Sequence, residues 1–288
     1  MREKTKGLAF NAALYAAAFG TGLVPFIIID DLLFAEAAFT AAATLFIYVV
    51  TCFIPDTSLY DPYWSVAPPV MLLAAMVKYR LWSPNALIML AAFIIWAARL
   101  TANWAVTYKG LLHEDWRYRM YREKCGPFAF AVINLVGLQF VPTVVVYAGM
   151  IGAFITVRTG GFSPMIFPGI TVMLIGVALE FFSDRAIHRF LRENSGTGRT
   201  CDVSLWRYSR HPNYLGEMTF WTGVFIAFIG AVPGKWYFGL GFLLIPALFL
   251  LVSIPMMEKH NAERRTDWEE YKERTSVLIP MPPKKGRG

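Results

Sequence analysis

Residues 165–190 read MIFPGITVMLIGVALEFFSDRAIHRF, an apolar run with a polar end, and this stretch decides the fold. An apolar segment of this length crosses the roughly 30 Å hydrocarbon core of a bilayer as a single helix. The polar loop RTCDVSLWRYSRHPNYLGE of residues 199–217 follows, and a second long apolar run begins at Pro212. Because proline favours the first position of a helix, Asn213 to Glu217 are expected to form the first turn of the next membrane helix.

Apolar runs of similar length recur along the 288-residue chain, which is 56% hydrophobic and 16% charged. This composition excludes an ordinary soluble domain and predicts an all-α, multi-pass integral membrane bundle of seven or eight transmembrane helices. The third run is short, and seven spans result if the first or the third is peripheral. The fifth is long enough to tilt or to kink at Pro142. The expected spans are residues 8–29, 35–54, 66–77, 86–108, 128–157, 165–190, 212–229 and 236–257.

Basic residues are distributed asymmetrically over these spans. With eight spans, the segments on the side of the N-terminus hold 20 Lys and Arg residues and the opposite loops hold four. The positive-inside rule then predicts cytoplasmic N- and C-termini, with the bacterial inner membrane as the expected location. The net charge of +7 is explained by this orientation, so no nucleic-acid partner is expected.

The chain is expected to form one transmembrane domain over residues 1–288. Residues 1–60 supply N-terminal helices, residues 61–283 a catalytic core with polar loops at 109–126 and 191–212, and residues 284–288 a basic tail. The absence of a visible internal repeat weakens the case for a transporter built from inverted halves. Three cysteines without a CxxC pair and four scattered histidines predict neither a disulfide framework nor a metal site.

Several ionisable residues fall inside the expected spans. Such groups cost a few kcal/mol each to insert, about 3 for an acid at the helix centre, and are therefore functional candidates. Glu180 and Asp184 are four residues apart and share one helix face, as do Arg99 and Asn103. The structural alternative for Arg99 is an interhelical ion pair with Glu180 or Asp184.

Two polar loops extend this set of candidates. Arginines of the 199–217 loop can clamp phosphates with their planar forks of donors, or can rest on lipid headgroups instead. Asp61, in the loop SLYDPYWS, can act as a proton donor if aromatic neighbours such as Tyr63 and Trp64 desolvate it. The alternative for Asp61 is a turn-forming role before Pro62.

Four motifs together resemble a known family. They are LWRYSRHPNYLGE (205–217), Glu180-x-x-x-Asp184, EDWRYRMYR (114–122) and EEYKERTSVLIPMPPK (269–284). In combination they resemble the membrane-bound steroid 5-alpha-reductase superfamily, in particular its bacterial, functionally mixed branch. The resemblance covers residues 61–283, and the first two spans match only as generic membrane helices. RHPxYxG alone also occurs in the isoprenylcysteine carboxyl methyltransferases.

The resemblance implies NADPH in a pocket open to the cytosol, with a hydrophobic substrate inside the bundle. Hydride would pass to the β-carbon of an enone while a polar residue hydrogen-bonds the carbonyl. Asp61 falls near the family's substrate-carbonyl acid and Trp96 near a substrate-contacting tyrosine, so both are candidate catalytic residues. The steroid enzymes generally carry Asn where this chain has Glu180, and Tyr where it has Trp96.

The implied cofactor-binding residues lie in three groups. The loop that helps to cover the adenosine phosphates supplies Arg117, Arg119 and Arg122. Other family positions that contact the cofactor fall on Glu180, Asp184, Arg192, Arg199, Asn213, Glu217 and His260. The RHPNY motif and its flank add Tyr208, Arg210, His211 and Tyr214. Replacement of Arg199 by Ala is then expected to abolish NADPH binding.

Two other function classes fit parts of the sequence. An S-adenosylmethionine-dependent methyltransferase of a lipid or isoprenyl substrate would explain RHPNYLG and the tail, and a non-enzymatic lipid-binding or transport protein would show no nucleotide dependence. The expected partners are the lipid bilayer and a hydrophobic small molecule, without a metal ion. No GxGxxG follows a strand, so a nicotinamide site here would not be of the Rossmann type. The oligomeric state stays open.

Overall fold

A computed structural model describes residues 2–159 and 161–284 of the chain. Of the basic tail expected at 284–288, only Lys284 falls within the described residues. The described part is helical and contains no β-strand; its one isolated bridge joins Ser209 and Ser276. The helices are α1 (Arg2–Ile28), α2 (Leu32–Phe53), α3 (Tyr63–Tyr79), α4 (Pro84–Thr107), α5 (Trp116–Lys124), α6 (Pro127–Val132), α7 (Val141–Thr159), α8 (Ile166–Glu193), α9 (Pro212–Ala231), α10 (Leu244–Leu248), α11 (Ile254–Arg264) and α12 (Trp268–Arg274).

Within the described residues, seven helical segments are long and apolar enough to cross a membrane. The predicted all-α, multi-pass membrane bundle is therefore confirmed. Two of the seven are composite: Pro127–Thr159 joins α6 to α7, and Pro233–Arg264 includes α10 and α11. The short third apolar run forms α3, which has 17 residues and is not among the seven. At 1.5 Å per residue α3 measures only about 25 Å, and it packs against α4 and α7 inside the bundle.

Helix starts follow local chemistry. The Asp31 side chain accepts the backbone N–H groups of Leu33 and Phe34 at the start of α2, and the Ser83 hydroxyl accepts that of Ala86 at the start of α4. These oxygens satisfy donors that have no partner within the first helical turn. Helix α9 begins at Pro212, as predicted, because proline needs no N–H partner at that position.

Glycines hold α8 and α9 unusually close together. They recur every seven residues on both helices, at Gly169 and Gly176 and at Gly216, Gly223 and Gly230. A Cβ atom at Gly176 would lie 2.6 Å from the backbone oxygen of Gly216, and a Cβ at Gly216 would lie 2.5 Å from Cγ of Glu180. Small residues permit such backbone contact between membrane helices. Polar side chains of the two helices, such as Glu180 and Glu217, consequently line the same cavity.

Two π-helical segments interrupt the composite helices, and each ends two residues before a proline. Ile133–Phe140 precedes Pro142, and Phe249–Ser253 precedes Pro255. The N–H groups of Val141 and Ile254 each donate to a carbonyl five residues back rather than four. Proline lacks a backbone N–H and crowds the preceding turn, which explains the wider spacing. The predicted irregularity at Pro142 therefore takes the form of a π segment.

The loop before α9 is fastened to the C-terminal segment that follows α11. Backbone N–H groups of Arg210 and Met281 donate to the carbonyls of Ser276 and Tyr208. The Ser209 hydroxyl donates to Leu278 O at 2.7 Å, and Thr200 donates to Asp267 through both its N–H and its hydroxyl. This pairing closes one end of the bundle, hereafter the polar end.

Candidate functional site

A cavity of about 990 Å³ lies at the polar end of the bundle. Its wall is built from the loop around Asp61, the second half of α4, the α5 region, both π segments, the end of α8 and the start of α9. A volume of this size is at the upper end of the range for ligand pockets. Eight of the sixteen residues expected from the sequence to be catalytic or cofactor-binding line it: Asp61, Arg117, Arg119, Glu180, Asp184, Asn213, Tyr214 and Glu217.

An ionic cluster sits at the inner end of the cavity. Arg99 of α4 donates to Glu180 Oε2 at 2.7 Å and also to Asp184 Oδ2. The ion pair considered from the sequence is thus present, and it occupies Arg99. Because this arginine is buried and engaged with two carboxylates, it is not free to bind a phosphate.

Glu217 lies beside that cluster and is held by two tryptophans. Trp96 Nε1 donates to Oε2 at 3.0 Å, and Trp221 Nε1 donates to Oε1 at 2.8 Å. Trp96 is 0% exposed and does not line the cavity, although the resemblance had made it a candidate for substrate contact. It stacks on Phe220 and positions Glu217 from behind the wall.

Asp61 faces the cavity from the loop between α2 and α3. Its carboxylate accepts a hydrogen bond from the Tyr118 hydroxyl, and Arg117 lies 4.0 Å away. Burial raises the pKa of the Asp61 carboxyl to about 6, although Arg117 and the Tyr118 hydroxyl act to lower it. The aromatic partner is therefore Tyr118, whereas the Tyr63 hydroxyl is engaged with Thr40. This acid can exchange a proton near neutral pH.

The predicted arginines separate into distinct environments. Arg117 lines the cavity but is bound to Asp115 at 2.8 Å, and Arg122, which does not line the cavity, forms two bonds to Glu114. Arg192 and Arg199 are exposed and do not line the cavity. Of the predicted set, Arg119 alone combines exposure, a place in the wall and no side-chain partner among the described residues.

Two further basic residues stand with Arg119 at the mouth. Lys109 and Arg264 line the cavity, are exposed, and have no hydrogen-bond or ion-pair partner for their side chains within the described part of the chain. Neither was singled out from the sequence, because nothing in the local pattern distinguishes them from other basic loop residues. Lys109, Arg119 and Arg264 are named the basic mouth.

Some residues of the RHPNY motif make structural contacts, and others line the cavity. Arg210 is buried and donates to Glu258 at 2.8 Å and to the carbonyls of Lys272 and Thr275. His211 lies 3.4 Å from Glu258 and stacks on Tyr214. Arg210 and His211 do not line the cavity, and neither does the exposed Tyr208.

Asn213 and Tyr214 are the members of the motif that reach the cavity. They lie in the first turn of α9, where the backbone N–H groups of a helix start favour an anion or a polar ligand group. Arg210 and His211 fasten the loop to α11 and to the C-terminal segment that follows it, and so hold this turn in place. His260 also stands outside the wall, stacked at 3.7 Å on Trp116, which does line the cavity.

Charge is unevenly distributed within the site. The inner end holds the carboxyl groups of Glu180, Asp184 and Glu217 against the single guanidinium of Arg99. Glu180 Oε1 is buried and has no hydrogen-bond partner among the described residues. The mouth, by contrast, carries unpaired positive charge. Between them, the π segments contribute an apolar wall that includes Leu138 and Phe249.

The described residues hold no group of three or more His, Cys, Asp or Glu side chains placed to bind a metal ion. A family model described as a protein of unknown function, DUF1295, matches residues 47–275. No curated protein matches the chain, and no solved structure matches it.

Proposed function

The chain belongs to the DUF1295 family, and we propose that it is an integral membrane oxidoreductase that uses NADPH. Its reaction is the reduction of a carbon–carbon double bond conjugated to a carbonyl in a hydrophobic, steroid-like or isoprenoid substrate. One observation carries this proposal: a single cavity joins an unpaired basic mouth, a hydrogen-bonding interior and an apolar wall. A dinucleotide needs positive charge for its phosphates and hydrogen-bonding groups for its ribose and carboxamide. A lipid-like substrate beside it needs an apolar wall.

The basic mouth suits the phosphates of the cofactor. NADPH carries a pyrophosphate and a 2′-phosphate, and Lys and Arg side chains bind such groups through charge-assisted hydrogen bonds. Lys109, Arg119 and Arg264 are free of other partners in the described structure, so binding would break no existing ion pair. We expect this end to face the cytoplasm of a bacterial inner membrane, where NADPH is available.

The interior suits the uncharged part of the cofactor. Asp184, Asn213 and Glu217 offer acceptors and donors for ribose hydroxyls and a carboxamide, and the unpartnered Glu180 Oε1 leaves one more hydrogen-bonding position open. When bound, the nicotinamide supplies hydride. The protein contributes orientation and the exclusion of water, which a closed helical bundle with an apolar wall favours.

Asp61 is the proposed partner of the substrate carbonyl. It lies in the same cavity as Glu217 and accepts a hydrogen bond from the Tyr118 hydroxyl. With its pKa at about 6, the carboxyl is partly protonated at neutral pH and can donate to an oxygen that gains negative charge.

A methyltransferase that uses S-adenosylmethionine is the second candidate, and the acidic interior favours it. Three carboxyl groups and one guanidinium would attract a sulfonium cation and an ammonium group. The basic mouth argues against this candidate, because that methyl donor has no phosphate to bind.

Thermal unfolding of the purified protein with each cofactor separates the two candidates. A ligand that binds only the folded state stabilises it by about 2.7 kcal/mol at one hundred times its Kd. The proposal expects NADPH to raise the unfolding temperature and S-adenosylmethionine to leave it unchanged. The reverse result would establish the methyltransferase reading, and no response to either would favour a non-enzymatic lipid-binding protein.

A further inference from the structure

The two oxygens of the Asp61 carboxyl group have different surroundings. Oδ1 accepts a hydrogen bond from the Tyr118 hydroxyl, and the Arg117 guanidinium lies 4.0 Å from the same oxygen. Oδ2 accepts no hydrogen bond from the described residues, and it is not fully buried. Because Asp61 lines the cavity, Oδ2 is the oxygen that remains open to a ligand there.

Tyr118 is fixed near the start of α5. The Asp115 side chain caps this helix and accepts the backbone N–H of Arg117 at 2.9 Å. Tyr118 is 6% exposed, lines the cavity, and has no hydrogen-bond partner for its hydroxyl other than Asp61 among the described residues. Its side chain therefore has one polar contact, and that contact is made to Oδ1.

Hydrogen bonds fasten the segment that carries Asp61 to the segment that carries Tyr118. The Leu112 N–H donates to Asp56 Oδ2 at 2.8 Å, and the Asp115 N–H donates to Ser58 Oγ at 2.7 Å. These contacts join residues 56–61 to residues 112–118 on both sides of the Asp61–Tyr118 hydrogen bond.

Glu114 joins the same two segments through its side chain. Oε1 accepts the Thr57 N–H at 2.9 Å, and Arg122 donates to both carboxylate oxygens, at 2.7 and 3.0 Å. Thr57 begins the 3₁₀ turn that leads to Asp61. The position of Asp61 relative to Tyr118 is thus set by the protein before a ligand enters.

We infer that Tyr118 is a positioning residue for the proposed reduction: by holding Asp61 Oδ1 it leaves the proton of the neutral carboxyl group on Oδ2, where it faces the substrate carbonyl. This inference rests on the proposed function. As the β-carbon gains hydride, the carbon–carbon π bond breaks and its electron pair moves to the carbonyl oxygen, which takes the Oδ2 proton. When the enol returns to the ketone, its O–H proton goes back to Oδ2 and the α-carbon takes a proton from water.

The contact with Tyr118 has a predictable effect on the ionisation of Asp61. Burial raises the pKa of Asp61, and the Arg117 charge and the Tyr118 hydrogen bond oppose that rise. Removal of the Tyr118 hydroxyl should therefore raise the pKa of Asp61 further. The other titratable groups that face Asp61 stay unchanged in Tyr118→Phe; they are Arg117, Asp115, Asp56, Tyr60 and Tyr15.

The pH profile of turnover tests this role. The full-length protein in lipid nanodiscs is given a 3-keto-4-ene steroid, and NADPH oxidation is followed from about pH 5 to 9. A general acid must be protonated, so kcat falls as the pH rises through its pKa. We expect Tyr118→Phe to lower kcat about 10- to 100-fold, to leave KM for NADPH within about twofold, and to move the fall in kcat to higher pH. Tyr237→Phe, at an exposed position outside the cavity wall, should match the natural protein.

A double-mutant cycle shows whether Tyr118 acts through Asp61. In Asp61→Asn the hydroxyl has no carboxyl group to hold, so the further change Tyr118→Phe should alter kcat by less than about twofold. A full additional loss in the double variant would overturn the inference, because Tyr118 would then act independently of Asp61. An unshifted pH profile in Tyr118→Phe would overturn it as well.

Infrared titration of the protein without ligands separates this inference from the proposed function. It follows the Asp61 carboxyl band, which Asp61→Asn removes. An unchanged midpoint in Tyr118→Phe overturns the inference and leaves the proposed function standing if the natural protein reduces the steroid. A natural protein that oxidises no NADPH with the steroid or with an isoprenoid enone overturns the proposed function, and the role of Tyr118 with it.

A measurement on the natural protein decides if Tyr118→Phe does not fold. Isotope-labelled tyrosine identifies the tyrosine C–O bands in the same infrared titration. A band that shifts at the Asp61 midpoint supports the contact, and the absence of any such shift contradicts it.

Discussion

Trp96 Nε1 donates a hydrogen bond of 3.0 Å to Glu217 Oε2 and thereby fixes a buried carboxylate in the wall of the cavity. The second oxygen of that carboxylate is held in the same way by Trp221, at 2.8 Å. The two helices that carry these donors, α4 and α9, are thus joined at the site itself. Trp96 itself does not line the cavity, so we expect it to position Glu217 rather than to contact a ligand.

Replacement of Trp96 by Phe tests this positioning role. The change removes the N–H and leaves Glu217 Oε2 buried without its donor, which should cost about 1–3 kcal/mol of unfolding free energy. Thermal unfolding in detergent measures the loss. Trp236→Phe is the matched control, because Trp236 is 54% exposed and its replacement should change little. Equal stability of the two variants would show that the indole bond is unimportant.

The sequence was informative about the helices and about one polar cluster. Long apolar runs predicted the membrane helices, since burial in lipid requires that composition over that length. The spacing of Glu180 and Asp184 predicted their common face, and the cost of an unpaired charge in a membrane pointed to Arg99 as their partner. The seven-residue glycine repeat was also present in the sequence, and it explains the closeness of α8 and α9.

Other parts of the site depend on contacts between distant segments. Lys109 and Arg264 come from segments far apart in the sequence and line the same cavity only in the folded chain, and their local sequence carries no sign of it. Arg210 belongs to the most recognisable motif, yet its guanidinium is bound to Glu258 and to the carbonyls of Lys272 and Thr275. Whether a basic side chain is paired or free to bind a ligand depends on its neighbours in the folded structure.

The basic mouth changes which arginines we expect to bind the phosphates of NADPH. The sequence favoured Arg199 as a phosphate ligand, but the structure leaves that residue exposed and away from the cavity wall. We expect Arg119→Ala and Arg264→Ala to weaken NADPH binding about 10- to 100-fold, the equivalent of one charge-assisted hydrogen bond. Arg199→Ala should stay within about twofold of the natural protein.

Binding isotherms for NADPH and NADH at two salt concentrations check this prediction. Loss of a phosphate contact should reduce the salt dependence of NADPH binding. A large effect of Arg199→Ala, with Arg119→Ala silent, would return the phosphate site to the 199–217 loop and contradict the geometry of the mouth.

Asp61 should make the stability of the protein pH-dependent. Its pKa is raised by burial from 3.8 to about 6, so the folded state binds a proton more tightly than the unfolded state does. The resulting stabilisation is complete below pH 3.8 and is lost as the pH rises through 6, with a size of about 3 kcal/mol at most.

The variant Asp61→Asn cannot titrate and should lack this component. Thermal unfolding measured between pH 4 and 8 should therefore show a smaller decline for Asp61→Asn than for the natural protein in the window from about pH 4 to 6. Parallel profiles for the two proteins would mean that Asp61 titrates at its ordinary value and is unsuited to donate a proton near neutral pH.

Arg210 should prove to be a structural residue. Its removal leaves the partly buried Glu258 without its closest partner and releases two carbonyls of the C-terminal segment. We expect Arg210→Ala to lose about 3–5 kcal/mol and to expose the segment around Tyr271 to limited proteolysis. Arg207→Ala, at an exposed position in the same loop, is the control. Intact stability combined with lost NADPH binding would place Arg210 in the cofactor site instead.

The most direct test of the central claim is an experimental structure of the protein prepared with NADPH and S-adenosylmethionine together. We expect density for the dinucleotide, with its phosphates at Lys109, Arg119 and Arg264 and its nicotinamide end beside Asn213 and Glu217. Density for S-adenosylmethionine against Glu180 and Glu217, or a cavity filled by lipid alone, would contradict it.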